Sequence, residues 1–334
     1  MSLMFLLSGL FVWSSLTRKG DRDFVRERAL RLGLPYVFGI LILMPLAFYP
    51  SYSARSADPS IAGYWHDWFA LPFWPNGQLW FLWQLLALNI AVAGVYRFAP
   101  EALKSLGRWS AAAGERPHVY FAVLVAVSAC AYVPMALAFT PWRWSDSGLL
   151  AVQWCRPLHY AVYFFAGVGI GAAGIERGLV AVDGALARRW AVWLAAALGS
   201  LIAWMGLTAL TMNGDAPFGL RAAAALAFVV ACACGCFFLI AASLHFANRP
   251  SIVLGDLSAK AYSLYLLHYN FVIWLQFALL GTTLFAVVKG AIVFGGTLLL
   301  SWLATLAFQH LPFGARLIGA PQRVAAVSWS AEPR

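Results

Sequence analysis

Apolar runs of roughly 17 to 25 residues, separated by short polar connections, repeat along the whole 334-residue chain. Runs of that length can cross a hydrocarbon core about 30 Å thick as helices. Nine are found, at 1–16, 33–49, 79–96, 119–137, 160–174, 190–210, 220–244, 262–279 and 284–308. The alternating segments of about ten residues that build a transmembrane barrel do not occur. The pattern therefore predicts an all-α fold, a polytopic membrane bundle of about nine transmembrane helices.

The domain organisation follows from what separates these runs. No Pro/Gly/Ser-rich linker, charge block or internal repeat divides the chain, which favours one membrane domain over 1–334 with a short tail at 309–334. The first run resembles the core of a signal peptide. Because it has no basic region before it and no small-residue cleavage site after it, we interpret it as a retained membrane helix.

Composition and charge support a membrane protein and predict its orientation. Only 11% of the residues are charged, against about 25% in an ordinary soluble domain. Short cytoplasmic loops carry an excess of Lys and Arg, and one alternation of the helices divides these residues roughly 18 to 5. It places Met1 outside and the C-terminal tail in the cytoplasm, and it attributes the net charge of +10 to topology rather than to nucleic-acid binding. The few outer residues are Arg55, Arg143, Arg156, Arg221 and Lys289.

The cysteines do not indicate a metal site. Cys232, Cys234 and Cys236 are spaced two apart within an apolar helix, where such residues point to different sides. Since no His or carboxylate lies nearby in the sequence, packing is the favoured interpretation and no metal is predicted.

Two predicted outer loops are rich in aromatic residues. The first, at about 50–83, holds Trp65, Trp68, Trp74 and Trp80. These rings suit either an interfacial aromatic belt or an apolar floor for a sugar ring or lipid headgroup. The second loop, at about 140–160, has the same character and includes Trp142, Trp144, Asp146, Trp154, Arg156 and His159.

A polar stripe crosses one of the predicted membrane helices. Ser258, Tyr262, Tyr265 and His268 or Tyr269 recur at spacings of three and four, which predicts a face directed at protein or a cavity rather than lipid. His268 suits three roles: proton transfer, hydrogen bonding to a substrate, or a structural contact with a neighbouring helix. Gly167, Gly169, Gly171 and Gly174 predict close helix packing in another run.

Four segments, taken in order, resemble the acyltransferase 3 family of membrane enzymes that modify sugars and glycans. They are FLLSGLFVW (5–13), RALRLGLP (28–35), GQLWFL (77–82) and LSAKAYSLYLLH (257–268). RALRLGLP looks closest to the branch that contains the glucan succinyltransferases and related acetylases. The resemblance implies transfer of an acetyl or succinyl group from cytoplasmic acyl-CoA to a hydroxyl of an outer carbohydrate or glycan. It also implies a bacterial-type cytoplasmic (inner) membrane, lipid and glycan as partners, and no metal.

The resemblance also implies roles for individual residues. Paired family arginines match Arg28 and Arg31, which would bind phosphates of acyl-CoA. The spacing of Phe24, Arg28, Arg31 and Pro35 places all four along one stripe of a helix, and Pro35 disfavours helical geometry at Leu34. The other matches, as candidate participants in catalysis, are Ser8 with Gly9, Trp80, and Ser263 with Tyr265 and His268.

One departure from the family is expected to matter. Members carry an earlier helix with an Arg and the histidine regarded as catalytic, whereas this chain starts at what would be the second helix. A start codon assigned too late or a truncated copy would explain the difference, and no catalytic histidine is named on this basis. The competing hypotheses are a transporter or flippase for a lipid-linked sugar and an inactive remnant of the acyltransferase.

Overall fold

The computed structural model describes residues 1–145, 148–176, 178–212, 216–247, 251–311 and 313–319. Helices make up 82% of the structure, and the described part of the chain contains no strand, only a single bridge between Trp144 and Gln153. The predicted all-α, polytopic membrane fold is confirmed. Four of the roughly 18 Lys and Arg residues predicted to face the cytoplasm lie outside the described residues: Arg177, Arg249, Arg323 and Arg334. Asp146 and most of the predicted tail at 309–334 also lie outside them.

Each of the nine predicted spans coincides with helix in the described residues, but six helices are long and apolar enough to cross a membrane by length and composition. The six are Asp21–Ser53, Gly77–Phe98, Pro117–Phe139, Trp190–Thr211, Phe218–Phe246 and Ala286–His310. Of the other three, the N-terminal run is interrupted at Phe11 and Pro157–Ala173 has only 17 residues. Ile252–Ala278 is long, and its polar stripe lowers its hydropathy.

Contacts divide the chain into two compact units. The first comprises Met1–Arg28, Gln84–Ser147 and Ala151–Pro250, and the second comprises Ala29–Trp83, Gly148–Leu150 and Ser251–Arg334. The single domain over 1–334 stays a prediction.

The first unit is a bundle in which α12 packs along α13, α9 along α13, and α10 against both α1 and α8. Tyr132, Cys155, Phe228 and Val229 form part of its buried core. Its helices are α1 (Ser2–Leu10), α2 (Val12–Lys19), α3 (Asp21–Arg28), α7 (Trp80–Phe98, from Gln84 onward), α8 (Pro100–Gly114), α9 (Pro117–Phe139), α10 (Pro157–Ala173), α11 (Ala185–Arg188), α12 (Trp190–Thr211) and α13 (Phe218–Phe246).

Glycines bring α1 and α10 into backbone contact. A Cβ on Gly9 would overlap the carbonyl oxygen of Phe164, and one on Gly167 or Gly171 would overlap the carbonyl oxygen of Leu6 or Leu10. The predicted close helix packing is therefore confirmed for these two α10 glycines. Gly9 belongs to the same interface, because small residues let helix backbones approach closely in membranes.

In the second unit, α14 packs against α15 and α5, and α16 lies against α4. Trp274 Nε1 donates a hydrogen bond to the carbonyl oxygen of Leu46 over 2.9 Å, which ties α14 to α5. Its helices are α4 (Leu34–Phe38), α5 (Met44–Ser53), α6 (Ile61–Ala70), the first turn of α7, α14 (Ile252–Ala278), α15 (Ala286–His310) and α16 (Gly314–Leu317).

Two π-helical segments, Ala29–Gly33 and Gly39–Leu43, flank α4, and each ends two residues before a proline, Pro35 or Pro45. Leu34 is helical, so the expectation that Pro35 disfavours helix there is wrong. The physical reason is that a wider turn redistributes the backbone hydrogen bonds around a residue that has no N–H, so the helix continues.

We expect Gly167→Ala to destabilise the first unit by about 2 kcal/mol or more, because its methyl group would overlap a backbone oxygen that cannot rotate away. Gly206→Ala is the matched control, since a Cβ there meets nothing within 4 Å. The measurement is the apparent Tm of the purified protein in detergent. Equal Tm values for the two variants would contradict the proposed close contact.

Candidate functional site

The residues predicted to take part in function are distributed over both units. Ser8 and Arg28 belong to the first unit, whereas Arg31, Trp80, Tyr265 and His268 belong to the second. Ser8 is half-buried on α1, one residue before the close contact at Gly9. Most of these candidate residues therefore lie in the second unit, where the distances between them can be compared.

A hydrogen-bonded junction joins the 3₁₀ turn Gly77–Leu79 to α14. The Tyr265 hydroxyl donates to the carbonyl oxygen of Gln78 over 2.6 Å, and Gln78 Nε2 donates to the carbonyl oxygen of Leu266 over 3.2 Å. Gly77 has φ +47°, a left-handed conformation that favours glycine, and this lets the chain turn into α7. The reciprocal bonds fix the middle of α14 against the start of α7.

His268 lies one turn beyond Tyr265 and has a defined tautomer. Its Nδ1 is 2.6 Å from the carbonyl oxygen of Tyr265. Since a carbonyl oxygen only accepts hydrogen bonds, Nδ1 carries a proton and donates it, so Nε2 is the ring nitrogen left to exchange a proton with a substrate. This arrangement orients a half-buried imidazole in the way that a general base requires.

His268 lines a groove of about 700 Å³ between α14 and α15. Most of the groove is apolar, and Thr297 and Ser301 of α15 contribute hydroxyl groups to it. Both hydroxyl oxygens are buried without a hydrogen-bond partner among the described residues. Buried polar groups are normally hydrogen-bonded, so these two hydroxyls beside the groove are candidate contacts for a ligand. Gln276 and Lys289 also line the groove.

Aromatic rings continue from the junction to Trp80. Phe81 packs edge-on against both Trp80 and Tyr265, with ring centroids 6.4 Å and 5.5 Å apart, and the Tyr265 ring is 5.7 Å from the His268 ring. Trp80 thus supports the junction through Phe81.

Part of the polar stripe of α14 faces protein, as predicted for Tyr262 and Tyr265, whereas Ser258 at its start is exposed. Tyr262 donates its hydroxyl to the carbonyl oxygen of Arg31 over 3.1 Å, and Ser263 is fully buried. Together with Tyr265 they direct one side of α14 toward the segments at 29–33 and 77–79 of the same unit.

Arg28 and Arg31 have different environments. Arg28 is the last residue of α3, half-buried, with its guanidinium carbon 5.2 Å from the ring centroid of the buried Phe24. Arg31 lies in a π-helical segment and is exposed. The stripe predicted from regular α-helical spacing is therefore wrong, because a π-helical turn takes more residues than an α-helical turn.

Lys260 is the other cation close in sequence to Tyr262, and its charge is already compensated. It pairs with the Asp256 carboxylate one turn earlier, which also accepts a hydrogen bond from Trp302 Nε1 over 3.1 Å. The hydrogen bond from Lys260, followed by that from Trp302, holds the pKa of the Asp256 carboxyl below its usual range. Lys260 is thereby neutralised within the unit, whereas Arg31 has an exposed side chain.

The first aromatic loop contains α6 and, together with the end of α5, lines an open cavity of about 620 Å³. Tyr64 and Trp68 are buried, and Tyr64 donates its hydroxyl to the carbonyl oxygen of Pro45 over 2.6 Å. Arg55 and Asp67 add charged groups to the lining. Only part of the loop faces outward as a belt would, since Trp65 is 40% exposed. The geometry accommodates the sugar-floor interpretation alongside the belt.

His159 of the second aromatic loop is a structural histidine. It is fully buried at the start of α10, with Nε2 3.1 Å from Ser2 Oγ and Nδ1 2.7 Å from Ser128 Oγ. Both ring nitrogens are satisfied, and Tyr132 and Tyr163 pack against the ring. Sequence reasoning placed His159 in an outer loop because the serines that bind it are distant in the chain.

No group of three or more His, Cys, Asp or Glu side chains that could hold a metal ion occurs in the described part of the chain. Cys234 and Cys236 are buried free thiols within α13, in agreement with a packing role.

The fold is that of a multi-pass helical membrane protein. A family model described as an acyltransferase domain matches residues 1–306. The chain therefore belongs to the acyltransferase 3 family, whose general activity is membrane acyl transfer. No curated protein and no solved structure gives a significant match.

We expect Tyr265→Phe to lower the free energy of unfolding by about 1 kcal/mol, because it removes the hydrogen bond to Gln78 and leaves a carbonyl oxygen unpaired. The measurement is equilibrium unfolding in mixed micelles. Tyr96→Phe, in the first unit, is the control for loss of a hydroxyl elsewhere. If both variants unfold like the wild type, the junction does not stabilise the second unit.

Proposed function

We propose that the protein is a membrane O-acyltransferase that moves an acetyl or succinyl group from cytoplasmic acyl-CoA to a hydroxyl of an extracytoplasmic carbohydrate or glycan. Family membership supports the acyl transfer, and the observation that carries the site assignment is the Nδ1 hydrogen bond of His268, which leaves Nε2 as a base in a groove. In this proposal the protein resides in a bacterial-type cytoplasmic membrane, with its C-terminus in the cytoplasm.

The chemistry requires a proton acceptor and groups that stabilise negative charge. His268 Nε2 takes the proton of the acceptor hydroxyl while its oxygen attacks the thioester carbonyl carbon. The carbon–sulfur bond then breaks, an ester is formed, and the coenzyme A thiolate leaves and takes up the proton. Thr297 and Ser301, whose hydroxyls have no described partner, donate hydrogen bonds to the developing oxyanion.

Tyr265 has a different part in this scheme. Its hydroxyl is engaged by the carbonyl oxygen of Gln78, and its own carbonyl oxygen orients His268. We therefore assign Tyr265 as a positioning residue, with Trp80 behind it through Phe81. Ser8, the remaining candidate, stays a hypothesis that rests on the family resemblance.

On the donor side, Arg28 and Arg31 each bind phosphate oxygens of acyl-CoA. Guanidinium groups match phosphate geometry with two parallel hydrogen bonds, and the predicted topology puts both residues on the cytoplasmic side. On the acceptor side, the aromatic cavity at α6 offers flat apolar rings together with Asp67 and Arg55 for sugar hydroxyls.

We expect His268→Gln to lower the acyl-transfer rate at least a hundredfold, because glutamine cannot take up the hydroxyl proton. Vesicles containing the full chain would receive labelled acetyl-CoA or succinyl-CoA on the cytoplasmic face, and label on glycan would be counted. His118→Gln, at an exposed position on α9, is the control. An unchanged rate in the His268 variant would contradict the assignment, and glycan export without label would favour the transporter hypothesis.

We expect Arg28→Lys and Arg31→Lys each to weaken acyl-CoA binding about three- to tenfold, because lysine keeps the charge and topology but loses the bidentate contact. Binding of radiolabelled acyl-CoA to purified protein gives the Kd. The matched control is Arg26→Lys, which changes an exposed arginine of the same helix. Wild-type Kd values in both test variants would overturn the proposed phosphate contacts.

A further inference from the structure

A second polar cavity lies within the first unit, apart from the groove that holds His268. It has a volume of about 490 Å³ and is lined by parts of α9, α10, α12 and α13, with Trp142 of the second aromatic loop beside them. Its walls combine the rings of Tyr132, Trp204 and Phe228 with three threonines and two arginines, Arg156 and Arg221. The predicted topology puts these arginines among only five basic residues on the outer side.

Each arginine stands where a cation is unfavourable. Arg156 is the N-cap residue of α10, and Arg221 lies in the first turn of α13. The N-terminus of a helix carries a partial positive charge and favours anions, so both guanidinium groups add charge of the same sign. An anion in the cavity would be favoured by both guanidinium groups and by both helix N-termini.

Among the described residues that line the cavity there is no Asp or Glu to pair with either arginine. Arg156 donates from Nη1 to the Tyr160 hydroxyl over 3.2 Å, and its guanidinium carbon is 5.2 Å from the Phe228 ring centroid. Its Nε is buried and has no hydrogen-bond acceptor in the described part of the chain. Burial raises the pKa of the neighbouring Cys155 thiol, which therefore stays neutral.

We propose that this cavity binds an anionic group, a carboxylate or a phosphate, carried by the acceptor that the enzyme modifies. Arg156 and Arg221 bind the charge, the aromatic rings contact the attached sugar or glycerol unit, and the threonines offer hydroxyls for neighbouring polar atoms. The inference deepens the proposed function by naming an acidic acceptor, and it rests on that function only for calling the ligand an acceptor. A phosphate could come from an anionic lipid headgroup as well as from a glycan.

The test measures binding without any acyl donor. The full chain in phosphatidylcholine nanodiscs would be titrated with glucuronate, and with glucose as the uncharged sugar, while the apparent Tm is recorded. Glucuronate is expected to raise the Tm and glucose to leave it unchanged. Arg221→Gln should weaken the glucuronate response about tenfold, as the loss of one charge-assisted contact predicts. Arg143→Gln, which removes an outer arginine that does not line the cavity, should respond like the wild type.

A second arm identifies the source of the anion. If the anion belongs to a lipid, nanodiscs with added phosphatidylglycerol and no sugar should stabilise the wild type more than Arg221→Gln. Glucuronate should then have no effect on the Tm. Arg156→Lys serves as a further variant that keeps the buried charge, and it should bind more weakly than the wild type. The proposal is overturned if neither probe raises the Tm, or if Arg143→Gln loses as much as Arg221→Gln.

These outcomes are separate from those for acyl transfer. Probe binding that depends on Arg221 in a protein without transferase activity would support the anion site and reject the enzyme. Transferase activity with no anion response would do the reverse.

Discussion

Every buried backbone N–H and C=O group in a hydrocarbon environment must find its partner within the protein, and the helices of this chain satisfy that constraint first. Prolines make this requirement harder to meet, because each removes one backbone N–H donor from a helix. Pro35 and Pro45 lie within one long helical segment, and each is preceded by a π-helical segment that lets the helix continue without a break. The span Asp21–Ser53 therefore stays continuous despite a sequence that local rules would interrupt.

The same requirement explains the hydrogen bonds of the polar side chains. Tyr265 and Gln78 exchange hydrogen bonds with backbone carbonyl groups and so connect two segments of the second unit. His268 uses a third carbonyl group to fix its own tautomer. His159 in the first unit differs, because its two ring nitrogens are hydrogen-bonded to the hydroxyl groups of two serines. His268 keeps one nitrogen for a substrate, whereas His159 connects α1, α9 and α10.

Much of the fold could be predicted from the sequence, because long apolar runs and helix-spaced glycines report directly on membrane helices and their contacts. The stripe of α14 was predictable for the same reason, since its period is local. The separation of Arg28 from Arg31 could not be predicted from regular spacing, because π-helical geometry at 29–33 departs from it. The cavity lined by Arg156 and Arg221 could not be predicted from the sequence either, because these residues are far apart in the chain and only tertiary packing places them around one space.

The paired π-helical segments have a consequence for how this helix tolerates change. A π-helical segment is equivalent to one residue inserted into an α-helix, so the two together rotate everything after Leu43 relative to an uninterrupted count. Loss of one residue within either segment would restore α-helical geometry there and shorten the helix by only one residue. It would also turn a different set of side chains toward α14. The residue count of this stretch therefore determines which side chains face α14 more than it determines the length of the helix. Substitutions beyond Leu43 are best compared by the direction in which the side chain points.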